Sequence, residues 1–446
     1  MERKYLIINK NGEISEAEGL SDNNVFGNEF KYFVSIEAFD SDSKQNYKSD
    51  YLYYAKKLGF AWEPYGDIGF CQYDYKAYLI IRLVKEYARL LVNRIGFPIF
   101  EIRGANIFDM SYPVVKAYRD LYGERLFHFK SGKKEIVMSY DASYPQFNLA
   151  SRYKMNYKNL PFAHFSIADC YRHEQKGECM LLYRNRRFFM PDLHPYFKDA
   201  NEAFKWYEKI EKQIINAARE CNIEYQVIAE VSSQANWKLY KDKIKQIAIN
   251  NKKDILIKIL QDKKDRYWII NVDYKIIDQL RQSREIACIQ IDVQNAKRLD
   301  IKYLDKNNKV HYPVIIHAAV PGGIERFVYM LFDNFKASFP IWLYPIQIRL
   351  IPVSEKHLKF CENLLFNLKN EQVRIDIDDR SESVSKRIKR AKEELIPYYF
   401  IIGEKEKNDK KELNDFYRLI NVIRAKMKDK PFMNFDWPYL VSRQVK

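Results

Sequence analysis

A chain of 446 residues, 47% of them apolar, is long enough for two or three domains and can bury a sizeable core. Its 75 lysines and arginines exceed 59 acidic residues, and the net charge of +16 points to an anionic partner or to a well-solvated basic surface. Six scattered cysteines without a C-x-x-C pair exclude a zinc ribbon or redox motif and suit a reducing cytoplasm; no stretch reads as a signal peptide or a membrane span.

In chain order, residues 1–50 read as a short polar-rich appendage with apolar patches at Tyr5–Ile8 and Phe30–Ile36, closing in a linker at Ser41–Asp50. The spacing of Leu79, Ile80, Leu83, Val84, Tyr87, Leu90 and Leu91 predicts a helix over Tyr75–Ile95. Gly96 stops it, and Phe97–Ile102 reads as a strand. The segment Glu135–Phe147 holds Asp141, which by itself reads as a turn residue.

From Asp169 to His194 the chain reads D-C-Y-R-H-E-Q-K-G-E-C-M-L-L-Y-R-N-R-R-F-F-M-P-D-L-H. Arg172, Glu174, Arg184, Arg186, Phe188, Asp192 and His194 share one parity. Two antiparallel strands around a glycine-bearing loop, Gln175–Met180, would put them on one face. Arginine forks bind phosphate oxygens, a ring can stack on a base, and a carboxylate can accept an amino group. Arg-x-Glu by itself reads equally as an exposed hairpin of alternating charge.

Ala200–Cys221 then reads as an amphipathic helix, followed by a charged helix at Lys238–Lys263 and a strand at Tyr267–Val272. Ile286–Val293 is a buried-strand pattern interrupted by Gln290 and Asp292. Val314–Phe327 reads as a strand ending at His317, a Pro-Gly-Gly turn and a helix from Ile324. Arg326 falls in that helix's first turn, where the dipole does not favour a cation unless it holds phosphate. Strands at Ile346–Val353, Val373–Ile377 and Tyr398–Ile402 alternate with helices near Glu355–Asn367 and Val384–Leu395, implying a parallel-type α/β sheet. Lys386, Arg387, Lys389 and Arg390 form a basic face that reads either as an RNA contact or as simple solvation. A charged helix, Lys407–Lys428, follows.

The ordered string from Arg172 to His194 resembles motif 2 of the class II aminoacyl-tRNA synthetases, and its ending in Asp192 and His194 is similar to the threonine-specific group of archaeal type. Tyr75–Ile102 resembles motif 1 and Val314–Phe327 motif 3. Asp379-Arg380 and Gly403-Glu404-Lys405-Glu406 resemble loops of the group's anticodon-binding domain. The resemblance covers about residues 50–446. It implies an α+β class II synthetase catalytic domain, an antiparallel sheet with helices, over 51–338, and an α/β anticodon-binding domain over 339–446. The appendage 1–50 is too short for the group's amino-terminal editing domain.

The implied activity is ATP-dependent ligation of threonine to tRNA through a threonyl-adenylate, in a cytoplasmic homodimer without membrane attachment. By the resemblance, Arg172 holds the α-phosphate, Glu174 the adenine amino group, and Phe188 stacks on the base. Arg184 and Arg326 grip the terminal phosphate beside Mg²⁺, with Arg172 and Arg326 as the catalytic pair. Gln290 lies beside the adenylate, Asp192 accepts the threonine hydroxyl, and His194 and His317 hold Zn²⁺. Ser143 stands where the group has a third, cysteine ligand, so either Asp141 completes the site or the pocket is free of metal. Arg103 replaces a motif 1 proline, Gly323 replaces a serine, and the Val-x-Val-Arg hairpin expected after Glu406 is missing. These departures keep a second reading in view: a paralogue that binds tRNA or a partner with altered or no aminoacylation. An active protein is expected to mischarge serine and to rely on a separate editing protein.

Overall fold

Alternating apolar residues assemble into a ten-stranded sheet. In chain order its strands are β1 (Arg3–Ile8), β2 (Ile14–Glu16), β3 (Ile99–Glu101), β4 (Phe162–Tyr171), β5 (Arg187–Phe197), β6 (Gln226–Val231), β7 (Ile255–Leu260), β8 (Trp268–Ile277), β9 (Ser283–Asp292) and β10 (Val314–Ala319). Their spatial order is β2-β1-β7-β6-β8-β9-β10-β5-β4-β3. Neighbours run antiparallel except for β3 with β4 and β6 with β7. The computed structural model describes residues 3–20, 26–41, 47–261, 266–335, 339–408 and 410–445. Residues 42–46 of the expected linker and 336–338 at the expected domain boundary lie outside these.

Helices among the described residues include α1 (Asn28–Phe39), α2 (Tyr75–Asn93), α3 (Ser143–Ala150), α4 (Ala200–Arg219), α5 (Gln234–Asn251) and α6 (Ile324–Asp333). Asp199 caps α4 by accepting the Glu202 N–H at 2.9 Å, and Phe204, Tyr207, Ile210, Ile214 and Ile215 form its buried stripe. Tyr5 and Ile7 on β1 share a core with Phe30 and Phe33 on α1 and with Ile228 and Leu256, so the amino-terminal segment is built into the main sheet. The charged helix expected at Lys238–Lys263 is shorter. It ends at Asn251, where Lys252 turns left-handed with φ 52°, and Ile255–Leu260 becomes β7. There Lys258 meets Glu230 on β6, so a lysine that reads as helix surface is one half of a cross-strand pair. Residues 262 and 263 of that stretch lie outside the described ones.

Two compact units result. One holds Met1–Ser49, Pro64–Phe70 and Leu91–Asn334; the other holds Asp50–Glu63, Cys71–Leu90 and Phe335–Lys446. In the second unit, β11 (Ile348–Pro352), β12 (Ile375–Ile377) and β13 (Tyr398–Ile402) run parallel in the order β12-β11-β13. The fully buried Arg349 forks onto Asp376 at 2.8 and 2.6 Å and reaches Glu394 at 2.6 Å. The first part of α2 packs in this unit, with Tyr75 4.8 Å from Trp437 and Tyr87 4.9 Å from Trp342, centroid to centroid. The basic face at Lys386–Arg390 is largely neutralised in place. Glu382 takes Arg390 at 2.6 Å and Lys386 at 3.1 Å, Glu393 lies 3.9 Å from Lys389, and Arg387 is buried. Among the described residues no helix is long and apolar enough to cross a membrane.

Candidate functional site

The hairpin β4–β5 pairs Phe162 with Tyr196 at one end and Tyr171 with Arg187 at the other. Residues 172–186 are therefore a loop rather than two facing strands. Leu182 takes a left-handed φ of 69°, and Asn185 supports it by accepting its N–H at 3.1 Å. The parity expected for the three arginines accordingly fails at Arg186. This side chain is turned away and buried, donating from Nε to the Glu174 carbonyl at 2.9 Å and pairing with Asp67. Gly69 makes room for it, since a Cβ there would lie 2.6 Å from Arg186 Cγ and its φ of +101° suits only glycine.

Arg172, Glu174, Arg184, Phe188 and Arg326 line one pocket, together with Met190 and Gly323. The Arg172 guanidinium lies between two rings, 4.4 Å from the Tyr140 centroid and 4.9 Å from that of Phe188. Burial works against its charge, but Tyr140, Cys170, Glu285 and Asp141 outweigh that and hold it above its ordinary pKa. Its Nε is buried without a hydrogen-bond partner among the described residues. Glu174 is 5% exposed, and its Oε2 also lacks a hydrogen bond; Arg125 and Arg184 stand 3.6 and 3.9 Å away. Arg184 is held by Glu178 at 3.2 Å. Arg326 donates to the Tyr183 carbonyl at 3.2 Å and to Glu285 Oε1 at 3.0 Å. Glu325 ties α6 to β5 by accepting the Phe189 N–H at 2.9 Å. Space does not require the glycine at 323, where a Cβ would meet only the Arg326 side chain at 3.8 Å. The pocket thus combines three guanidinium groups, a ring, and two buried polar atoms without hydrogen bonds among the described residues, a composition suited to a phosphorylated, aromatic ligand.

Strand register builds the neighbouring pocket. Gln290 lies opposite His317 across β9 and β10, and opposite Asn271 across β8 and β9. On β5 and β10, Leu193 pairs with Ala318 and Tyr196 with Ile315, which sets His194 beside His317. His194 Nε2 is 3.1 Å from His317 Nδ1, and Ser143 Oγ lies 3.1 Å from the first and 3.5 Å from the second. Asp141, expected as a ligand here, is committed elsewhere. Its Oδ1 accepts the Ser143 N–H at 2.9 Å and its Oδ2 the Tyr122 hydroxyl at 2.5 Å, because a carboxylate at this point is drawn to the first N–H groups of α3. Among the described residues no three of His, Cys, Asp and Glu gather to hold a metal ion. The edges between Ser143, His194 and His317 nonetheless fit one face of a tetrahedron with bonds of about 2.0 Å, with a hydroxyl as the weak third donor.

Asp192 lies 3.8 Å from His194 Nε2, and burial lifts its carboxyl to about 7 while His317 pulls the other way. Tyr267, which no sequence pattern marks among 34 tyrosines, closes the pocket. Its hydroxyl donates to Gln290 Oε1 at 2.8 Å and its ring centroid is 5.5 Å from that of His317.

A family model for the tRNA synthetase class II core domain (G, H, P, S and T) matches residues 127–335, and one for the anticodon binding domain matches 347–418. Among curated proteins, the threonine–tRNA ligase of Nanoarchaeum equitans is 39% identical over 429 residues, covering 93% of this chain and 68% of that one. That of Pyrobaculum islandicum is 40% identical over 393 residues, 85% of this chain and 63% of the relative. The chain spans about two thirds of the length of these relatives. Among solved structures, the RNA binding domain of threonyl-tRNA synthetase from Cryptosporidium parvum Iowa II superposes with a TM-score of 0.74 at 19% identity, over 87% of this chain and 99% of that one. Prolyl-tRNA synthetase from Cryptosporidium parvum, complexed with L-proline and AMP, gives 0.64 at 13% identity, over 85% and 76%. At these identities the structures speak for the fold.

Proposed function

This chain belongs to the threonine–tRNA ligase family, with a class II synthetase core followed by an anticodon-binding domain, and on that premise we propose that it ligates threonine to tRNA with ATP. The observation that carries the reading is the pocket gathering Arg172, Glu174, Arg184, Phe188 and Arg326, with Arg172 Nε and Glu174 Oε2 without a hydrogen bond among the described residues. In the first step the threonine carboxylate attacks the α-phosphorus of ATP, the bond to the β-phosphate breaks, and pyrophosphate leaves. Arg172 neutralises the α-phosphate, Glu174 accepts the adenine amino group and Phe188 stacks on the base. Arg184 and Arg326 exchange Glu178 and Glu285 for the terminal phosphate beside Mg²⁺. Such a step needs positioning and charge neutralisation rather than a strong base. In the second step a tRNA ribose hydroxyl attacks the threonyl carbonyl, and AMP leaves.

Gln290 and Asp192 face the amino acid, with Asp192 accepting the threonine hydroxyl. His194, His317 and Ser143 would hold zinc, which when bound supplies a Lewis acid for the amino and hydroxyl groups of threonine. Serine differs by one methyl, worth only about 1–3 kcal/mol, so a separate editing protein is the partner proposed to clear seryl-tRNA. Residues 51–338 act as the catalytic domain and 339–446 as the anticodon-binding domain, ranges that contain both matched segments. A homodimer across the edge strand β3 is supported by Phe100, 55% exposed there, and by exposed Ile107 and Phe129 on the small sheet of residues 107–138.

The hydroxyl of Ser143 in the metal triangle favours a second reading, a paralogue that binds tRNA without charging it. Pyrophosphate exchange measured with each amino acid separates the two. Threonine-dependent exchange supports the ligase; absence of exchange with every amino acid refutes it.

A further inference from the structure

Tyr183 stands immediately before Arg184 in the loop 172–186, lines the nucleotide pocket and is buried, yet none of the proposed contacts to ATP uses it. Met180 and Arg184 exchange backbone hydrogen bonds at 3.1 and 2.8 Å, so Tyr183 sits inside a closed turn, next to the left-handed Leu182. Two guanidinium groups lie over its ring, Arg284 at 4.9 Å and Arg326 at 5.1 Å from the centroid. Arg284 is fixed from behind by the buried Asp278, which accepts from its Nε at 2.7 Å and from the Tyr329 hydroxyl at 2.8 Å. The Tyr183 carbonyl accepts Arg326 Nε at 3.2 Å, and its hydroxyl accepts the Glu285 N–H at 3.2 Å. Glu285 supplies the rest of the hold, accepting Arg326 Nη1 on its carbonyl at 3.3 Å and on Oε1 at 3.0 Å.

The two holders of Arg326 act on different parts of it. A carboxylate takes up N–H donors that a phosphate would need, so Glu285 has to let go when the terminal phosphate arrives. A ring attracts the guanidinium through its face and leaves the N–H groups in the guanidinium plane free to donate. We propose that Tyr183 is a positioning residue for Arg326: its ring keeps the guanidinium aimed into the pocket after Glu285 releases it. A flexible arginine held in this way loses less freedom when the phosphate binds. The inference rests on the reading of this pocket as the ATP site, with Arg326 on the terminal phosphate.

The test titrates the full chain by calorimetry with ATP and, separately, with AMP, each in the presence of Mg²⁺, with thermal melting as the check on folding. Tyr183→Leu should bind ATP about 10–30-fold more weakly than the wild type, the worth of a guanidinium–ring contact in a buried pocket. Its affinity for AMP, which has no terminal phosphate for Arg326 to hold, should stay within about threefold of the wild type. Tyr183→Phe keeps the face of the ring and should bind ATP within about threefold of the wild type. Should Tyr183→Leu not melt cooperatively, Tyr183→Met replaces it. Equal ATP affinity in the ring-free variant and the wild type overturns the role of Tyr183 and leaves the nucleotide reading standing. Equal weakening of ATP and AMP also overturns it, since the ring would then shape the whole pocket rather than aim Arg326. Equal weakening in the Phe and Leu variants does the same, because the loss would track the hydroxyl's hold on Glu285. A wild type that binds neither nucleotide refutes the reading of the pocket itself.

Discussion

The two halves of the proposed site are built differently. The nucleotide half takes its side chains from the loop 172–186, from Phe188 at the start of β5 and from the first turn of α6, and each cation is clamped by its own partner: Arg172 by two rings, Arg184 by Glu178, Arg326 by Glu285. The amino-acid half takes Asp192, His194, Gln290 and His317 from consecutive strands, where register decides which side chains meet. Outer partners then orient them: Gln146, Asp292 and Tyr267. A pocket of separately clamped charges should lose function abruptly when one is removed. A pocket aimed by a hydrogen-bonded network should lose it by degrees.

The largest effect is expected at Arg172. Arg172→Ala should lower the rate of threonine-dependent pyrophosphate exchange at least about 10³-fold, because no neighbouring group replaces its fork. Near-normal exchange would show that the nucleotide half is wrongly assigned. Asp192→Asn should raise the KM for threonine by about 10–100-fold, the loss of one strong hydrogen bond to the substrate, and leave the KM for ATP unchanged. A rise in both constants would mean the halves are coupled. Glu174→Gln should raise the KM for ATP about tenfold and narrow the preference for ATP over GTP, since an amide can donate to the guanine oxygen. Unchanged nucleotide preference would remove Glu174 from base recognition.

The smallest expected effect concerns the sheet beneath both halves. Glu211 on α4 is buried against the hydroxyls of Tyr274 and Tyr207, at 2.7 and 3.4 Å, and burial raises its carboxyl from 4.5 to about 7. A carboxyl whose pKa is higher in the folded chain stabilises the fold fully below its unfolded pKa and loses that contribution as pH rises through the folded value. Stability should therefore fall by about 1 kcal/mol between pH 6 and 7, and Glu211→Gln should remove that slope. Melting curves at a series of pH values would decide it, and parallel slopes in both proteins would rule Glu211 out as the cause.

Two things were legible in the sequence from one residue type at one spacing: that Arg172, Glu174, Phe188 and Arg326 belong together, as the shared pocket has them, and that strands and helices alternate after Phe339. Parity failed at Arg186, because it presumes continuous strands and Leu182 breaks the extension. The length of α5 was misread because lysines mark a solvated helix face and a cross-strand partner alike. Asp141 was misplaced because its carboxylate is drawn to the start of α3. Gln146 and Tyr267 carried no signal, since their roles depend on what the fold brings opposite them.

The pairing of β1 with β7 has a consequence for how the chain is made. Arg3 lies opposite Leu260 and Ile8 opposite Ile255, so one edge of the strand synthesised early, the edge away from β2, stays open until residues past 255 have left the ribosome. At about 5–20 residues per second that interval is roughly 10–50 s. During it the apolar side of Tyr5 and Ile7 has as native neighbours only the early part of its cluster, Ala17, Leu20 and Phe26 with Phe30, Phe33 and Val34 of α1.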